Sequence, residues 1–104
     1  MKVQYVHPNV ETFLLLLERS ARTKLTRLLE LLLERKQQLG MPFSKNLGGG
    51  LYELRILGAH NIRVFYAFHK SDIVLLHGVA KKTQKLAKRD IETAHQRLTL
   101  LRQT

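Results

Sequence analysis

The chain has 104 residues, a hydrophobic fraction of 44% and a formal net charge of +10, from 18 Lys and Arg against 8 Asp and Glu. A chain of this length holds one hydrophobic core, so we expect a single domain over residues 1–104. The charge favours a polyanionic partner such as nucleic acid, an acidic membrane face or an acidic protein, although solubility alone would also account for it. The chain has no cysteine, which excludes disulfides and thiolate metal sites.

No export or membrane signal is visible in the sequence. The N-terminus lacks an uninterrupted apolar stretch, and the apolar run at residues 14–17 ends at Glu18 and Arg19, far short of a membrane span. We therefore expect a soluble, cytoplasmic protein without a membrane partner.

Helical periodicity dominates the first part of the chain. Asn9 is placed to cap a helix that begins near Val10. Ser20 is placed to cap a second helix, which continues to Leu39 and stops before Pro42. Leucines recur at helical spacing in both segments. Because almost no loop separates them, the two helices are predicted to form an antiparallel hairpin.

From residue 51 the hydrophobic period changes to that of strands. Strands are predicted at residues 51–57, 62–68 and 73–79, with a further short edge strand at residues 2–6. The run 73–79 is almost wholly apolar, which is typical of a central strand covered on both faces. A last helix is predicted over residues 88–102. The sequence thus predicts an α+β fold in which the helices, an N-terminal hairpin and a C-terminal helix, pack on one face of a three- to four-stranded antiparallel sheet.

A pair of arginines is predicted to meet on this sheet. If both strand hairpins have three-residue loops, centred on Ala59 and Lys70, then Arg55 lies opposite Arg63, and Arg63 lies opposite His77. Opposing arginines repel, whereas an anion between them would be held by paired hydrogen bonds. The alternative is that both arginines pair with carboxylates such as Glu53 or Glu92.

The sequence shows no nucleophilic triad, no histidine pair at metal-ligand spacing and no phosphate-binding loop. We therefore predict no metal site and no cofactor. RNA cleavage needs none of these, because the 2′-hydroxyl attacks the adjacent phosphate once the strand is oriented, charge is neutralised and protons are exchanged. Arginine and lysine suit the charge, and His77 or Tyr66 could exchange protons.

Five segments, in this order and spacing, resemble one known protein family. They are residues 42–48 (Pro-Phe-Ser-Lys-Asn-Leu-Gly), 50–55 (Gly-Leu-Tyr-Glu-Leu-Arg), 63–66 (Arg-Val-Phe-Tyr), 76–78 (Leu-His-Gly) and 81–85 (Lys-Lys-Thr-Gln-Lys). Together they resemble the phage-derived, HigB-like branch of the RelE/ParE toxins of type II toxin–antitoxin systems. The resemblance covers nearly the whole chain.

The resemblance implies a ribosome-dependent endoribonuclease that cleaves mRNA and is silenced by a cognate antitoxin, often of the helix-turn-helix type. Matched to the family's motifs, the catalytic residues are Arg55, Arg63 and Lys82, and the supporting RNA contacts are Lys45, Lys81 and Lys85. The late tyrosine that RelE uses has no clear counterpart, so the resemblance assigns no general base.

Two other functions fit the same sequence features. The first is a ParE-like inhibitor of DNA gyrase, which binds without catalysis on the same fold. The second is a non-catalytic RNA- or DNA-binding module, which would bind in a salt-sensitive way without cutting RNA or stopping growth.

Overall fold

A computed structural model describes residues 1–58, 61–81 and 88–104 of the chain, with Lys81 described by its backbone alone. The elements in chain order are β1 (Val3–Tyr5), α1 (Pro8–Leu15), α2 (Arg19–Arg35), a 3-10 turn (Lys36–Gln38), β2 (Ser44–Gly48), β3 (Leu51–Ile56), β4 (Asn61–His69), β5 (Asp72–Lys81) and α3 (Lys88–Arg102). The predicted α+β class is confirmed, and so is the C-terminal helix. Across these residues, no helix combines the length and the apolar character that crossing a membrane requires.

The N-terminal helices begin earlier than predicted. His7 caps α1, because its Nδ1 accepts a hydrogen bond from the backbone N–H of Asn9 at 3.1 Å. Pro8 follows at the first helical position, where its missing N–H costs no hydrogen bond. Asn9 is therefore not the cap. The prediction of Ser20 as a cap is also wrong, since α2 begins at Arg19 with Glu18 at the N-cap position.

Helix α2 ends four residues before the predicted position. Lys36 has φ 55° and ψ −129°, which no α-helix accommodates, so the regular helix stops at Arg35. A short 3-10 turn follows. Leu39 lies outside the helix but is still buried, so its apolar character reflects packing against the core rather than helix continuation.

The sheet has five strands in the order β1-β5-β4-β3-β2. β1 pairs with β5 in parallel, and the remaining neighbours are antiparallel. The predicted three- to four-stranded antiparallel sheet is thus corrected to a mixed sheet. Its additional strand, β2, is polar and short, and it joins β3 through Gly49 and Gly50, whose φ values of 63° and 86° favour glycine.

Helices cover both faces of the sheet, and the prediction of helices on one face is wrong. Helices α1 and α2 pack on one face over a cluster that includes Leu25, Leu54 and Val64. Helix α3 packs on the opposite face, where Leu98 joins Phe65. Adjacent residues of β4 from Val64 to Ala67 are therefore buried on opposite faces, which accounts for this unbroken apolar run.

The hairpin between β4 and β5 differs from its predicted register. The turn has two residues, Lys70 and Ser71, with φ values of 47° and 68°. Further along, the register shifts between Phe65 and Tyr66, where Leu76 is the extra residue of a β-bulge. Consequently His77 lies opposite Phe65.

The same shift changes the neighbour of Arg63. Val79, rather than His77, lies opposite Arg63. Arg63 and His77 nevertheless lie on the same face of the sheet as diagonal neighbours. His77 is two residues from Val79, which lies opposite Arg63, and Arg63 is two residues from Phe65, which lies opposite His77.

Candidate functional site

Arg55 and Arg63 meet on the sheet as predicted. They are direct partners in the β3–β4 register. Strand alternation also puts Glu53 on this face, two residues before Arg55. Its Oε1 lies 3.2 Å from Nε of Arg55 and 3.6 Å from Nε of Arg63. One carboxylate therefore serves two guanidinium groups, and the cluster of these three side chains keeps one excess positive charge.

The alternative predicted from the sequence, in which both arginines pair with a carboxylate, is observed with Glu53. Glu92, the other carboxylate considered, forms an i,i+4 ion pair with Lys88 at 3.9 Å on the surface of α3. Of the two carboxylates considered, Glu53 therefore pairs with the arginines, and Glu92 pairs with Lys88.

Arg63 is the most buried cation of the cluster. Its side chain is 1% exposed, against 21% for Arg55. Its Nη1 and Nη2 atoms are buried and find no hydrogen-bond partner among the described residues. Burial lowers the pKa of Arg63, Glu53 opposes this change, and Arg55 adds to it.

A guanidinium nevertheless stays charged at neutral pH. A buried donor without a partner costs about 1–3 kcal/mol. An anion that reached the two Nη atoms of Arg63 would satisfy both donors.

His77 lies beside the cluster rather than across from Arg63. Its ring stacks on Phe65, with ring centroids 6.0 Å apart and 15° between the planes. Its Nε2 lies 3.0 Å from Oδ1 of Asp90, in the first turn of α3. The bulge at Leu76 brings His77 to this face, and Arg97 of α3 donates to the Leu76 carbonyl at 2.8 Å.

Sequence reasoning missed Asp90 as a partner of His77. The available signal was an acidic residue in the first turn of a helix, a position that the helix dipole favours. That signal alone does not identify the partner. Here the carboxylate is buried and acts as the orienting group for an imidazole.

The other predicted site residues divide into three groups. Lys45 lies opposite Glu53 on β2 and is exposed, so the register brings it to the face of the cluster. Tyr66 does not belong to the site, because it is buried on the opposite face with its hydroxyl bonded to Ser44. Lys82, Lys85 and the side chain of Lys81 lie outside the described residues.

Metal coordination has no candidate among these side chains. Across residues 1–58, 61–81 and 88–104, no three His, Asp or Glu side chains are grouped so that they could hold a metal ion. The functional groups of the described site are thus two guanidinium groups, one shared carboxylate and an imidazole paired with a second carboxylate.

Comparison with known proteins identifies the family. No curated protein matches the chain. The family model described as phage-derived protein Gp49-like (DUF891) matches residues 12–99, which include all of α2 and most of α3. The chain therefore belongs to the Gp49-like phage-derived protein family, a RelE-type, toxin-like family of toxin–antitoxin systems.

Proposed function

We propose that the protein is the toxin of a type II toxin–antitoxin pair of the HigB-like kind. In this proposal it is a metal-independent endoribonuclease that cleaves mRNA on the ribosome, and a cognate antitoxin, most simply a helix-turn-helix protein, neutralises it. The observation that carries the proposal is the buried Arg63, whose Nη1 and Nη2 atoms have no partner among the described residues while Arg55 lies directly opposite. Family membership supports the toxin class.

Glu53 acts as a positioning residue in this scheme. Its carboxylate faces the Nε atoms of both arginines. The Nη atoms are thus left to grip the non-bridging oxygens of a phosphate with paired hydrogen bonds. A bound phosphate also neutralises the excess charge of the cluster. The arrangement is preorganised for the charge that develops on a phosphate in the transition state.

The reaction uses the RNA's own nucleophile. The 2′-hydroxyl loses its proton and attacks the adjacent phosphorus, the bond to the 5′-oxygen breaks, and that oxygen gains a proton. The products are a 2′,3′-cyclic phosphate and a 5′-hydroxyl. Arg55 and Arg63 hold the phosphate for in-line attack, and His77, oriented by Asp90, exchanges a proton at one of the two oxygens.

Lysines complete the proposed RNA surface. Lys45 is exposed next to Glu53 and contacts the backbone of the strand. From the family motif we assign Lys82 to catalysis and Lys81 and Lys85 to RNA binding. The net charge of +10 speeds association with RNA, and it would do the same for an acidic antitoxin.

Cleavage of ribosome-bound mRNA by the purified protein tests the proposal. The wild type should cut mRNA, and Arg63→Lys should cut on the order of a hundredfold more slowly, because lysine keeps the charge but not the paired donors. Arg22→Gln is the control, since Arg22 is exposed on α2 and lies outside the cluster. It should cut at the wild-type rate.

Two outcomes would replace the proposal. Growth arrest with intact mRNA and inhibited DNA supercoiling would establish the gyrase inhibitor. Salt-sensitive RNA binding without cuts or growth arrest would establish a non-catalytic binding module.

A further inference from the structure

A second basic feature lies between α2 and the end of β3. It is a cleft of about 270 Å³, lined chiefly by Lys24, Arg27 and Leu28 of α2, by Phe43, and by Arg55 and Leu57. Three of these six residues are cationic, and none of the described residues that line the cleft is acidic. The cleft is therefore suited to an anion.

The walls of the cleft are apolar and partly open to solvent. Phe43 is 39% exposed and Leu57 is 44% exposed, which is high for large apolar side chains. Lys24 extends over this wall, because its Nζ donates to the Leu57 carbonyl at 3.1 Å. A flat, apolar group that carries a negative charge would pack against these apolar walls and pair with the cationic residues of the cleft.

Arg55 joins the cleft to the cluster of Glu53, Arg55 and Arg63. It lines the cleft, and its Nε lies 3.2 Å from Glu53. Its Nη1 lies 3.8 Å from Sδ of Met41, in the segment that leads to Phe43. The cleft, on the α2 side of the sheet, and the cluster, on the α3 side, therefore meet at Arg55 near the end of β3.

We propose that this cleft binds one nucleotide of the RNA, next to the nucleotide whose phosphate the arginine pair holds. Its base stacks on Phe43, and its phosphate contacts Arg27 and Lys24. Unpaired RNA bases are commonly held by stacking on aromatic side chains. The proposal rests on the proposed function, and it adds a specificity subsite to it.

The size of the cleft favours a nucleotide over a protein segment. Pockets for drug-sized ligands have volumes of about 300–1,000 Å³. The cleft, at about 270 Å³, is therefore of a size for one small group such as a single nucleotide. A specific protein interface buries about 800 Å² on each partner, which is far more than one such cleft offers.

Binding of an uncleavable RNA tests the subsite without requiring catalysis. The probe is a fluorescent 2′-O-methyl RNA tetranucleotide, in which the nucleophile is blocked, and the readout is its Kd. Phe43→Ala should weaken binding roughly tenfold or more, as loss of one base stack does. Arg27→Gln should also weaken it and reduce the salt dependence of binding. Arg22→Gln and Leu15→Ala, exposed residues that do not line the cleft, should leave the Kd unchanged.

Rescue variants and a second probe separate stacking from folding and from charge. Phe43→Trp should restore binding, whereas Phe43→Leu should not, although both keep an apolar side chain. An abasic tetramer with the same phosphates should bind the wild type about as weakly as the full probe binds Phe43→Ala. Equal Kd values for Phe43→Ala and the wild type would overturn the subsite.

Three further outcomes show which proposal fails. If the wild type cuts mRNA but the probe binds all variants alike, the subsite fails while the proposed function stands. If a polyglutamate peptide binds as tightly as the probe and is weakened equally by Phe43→Ala, the cleft is a site for acidic protein segments and the subsite is overturned. If the wild type does not cut mRNA, the proposed function fails whatever the probe shows.

Discussion

Arg55 and Arg63 lie directly opposite each other on adjacent strands, and both present Nε to the same oxygen of Glu53. Like charges at opposing positions of a sheet normally destabilise it. The shared carboxylate offsets part of that repulsion and leaves one positive charge in excess. Activity and stability should therefore respond differently to substitutions in this cluster.

Arg63→Met should abolish cleavage while preserving the fold. Methionine fills much of the same space and removes two buried donors that have no partner among the described residues. Replacing buried ionic groups by well-packed apolar ones is often neutral or stabilising when no charge is left unpaired, and here Glu53 keeps Arg55 as its partner. Arg63→Ala should lose cleavage activity and also stability, because the cavity left by a side chain that is 1% exposed costs about 2–5 kcal/mol of the free energy of unfolding. Cleavage rates and urea unfolding of both variants test this, and wild-type cleavage by folded Arg63→Met would exclude the site.

The burial of Arg63 also decides how the removal of each arginine affects stability. Repulsion between the two arginines would by itself make the removal of either one nearly neutral. This holds for Arg55, which is 21% exposed, but at Arg63 it holds only for a substitution that fills the space.

Glu53→Gln should be strongly destabilising. It leaves two arginines facing each other without a carboxylate, and breaking a buried ion pair at one partner costs about 3–5 kcal/mol. Adding Arg63→Met should recover at least about 1 kcal/mol, since the repulsion is then gone. The measurement is a double-mutant cycle by urea unfolding. Strictly additive effects would show that Glu53 and Arg63 are not coupled.

His77→Phe should lower the cleavage rate by a factor on the order of 10²–10⁴, the usual contribution of general acid–base catalysis. Phenylalanine keeps the stacking on Phe65 but removes the nitrogen that meets Asp90. The control is His95→Phe, because His95 is exposed on α3 and outside the site. Single-turnover cleavage across a pH series is the measurement, and an unchanged profile in His77→Phe would remove His77 from the reaction.

Tyr66 should make stability fall at high pH. Burial raises its pKa above the ordinary value, and the nearby Tyr52 adds to this, while the hydrogen bond with Ser44 opposes it. The unfolded chain therefore loses the Tyr66 proton at a lower pH than the folded chain does. The stability that the protonated Tyr66 contributes is present below about pH 10 and is lost as pH rises through the pKa of Tyr66 in the folded protein. Urea midpoints measured from pH 9 upward should decline more steeply in the wild type than in Tyr66→Phe. Parallel curves for the two proteins would contradict the prediction.

Local patterns in the sequence determined much of this protein. Alternation in β3 put Glu53 and Arg55 on one face, and a regular hairpin placed Arg63 opposite, as the structure confirms. The C-terminal helix has the predicted bounds, because its apolar stripe and its length are local properties. The excess of basic residues is likewise a property of composition.

Tertiary structure decided where His77 lies. The turn at Lys70 and Ser71 adopts positive φ without glycine or asparagine, so the sequence gives little signal for a two-residue loop. The bulge at Leu76 then shifts the register again, and Arg97 of α3 bonds the bulged carbonyl. These features depend on contacts between segments that are distant in the chain.

The burial of Arg63 was decided in the same way. Whether its guanidinium faces water or a closed interior depends on which elements cover that face of the sheet, and helix α3 packs there rather than beside α1 and α2. Sequence periodicity shows that a helix has an apolar side but not which face of the sheet it will cover. The charge of the site was thus determined by the sequence, whereas its desolvation, the property that prepares it for an anion, was decided by the packing.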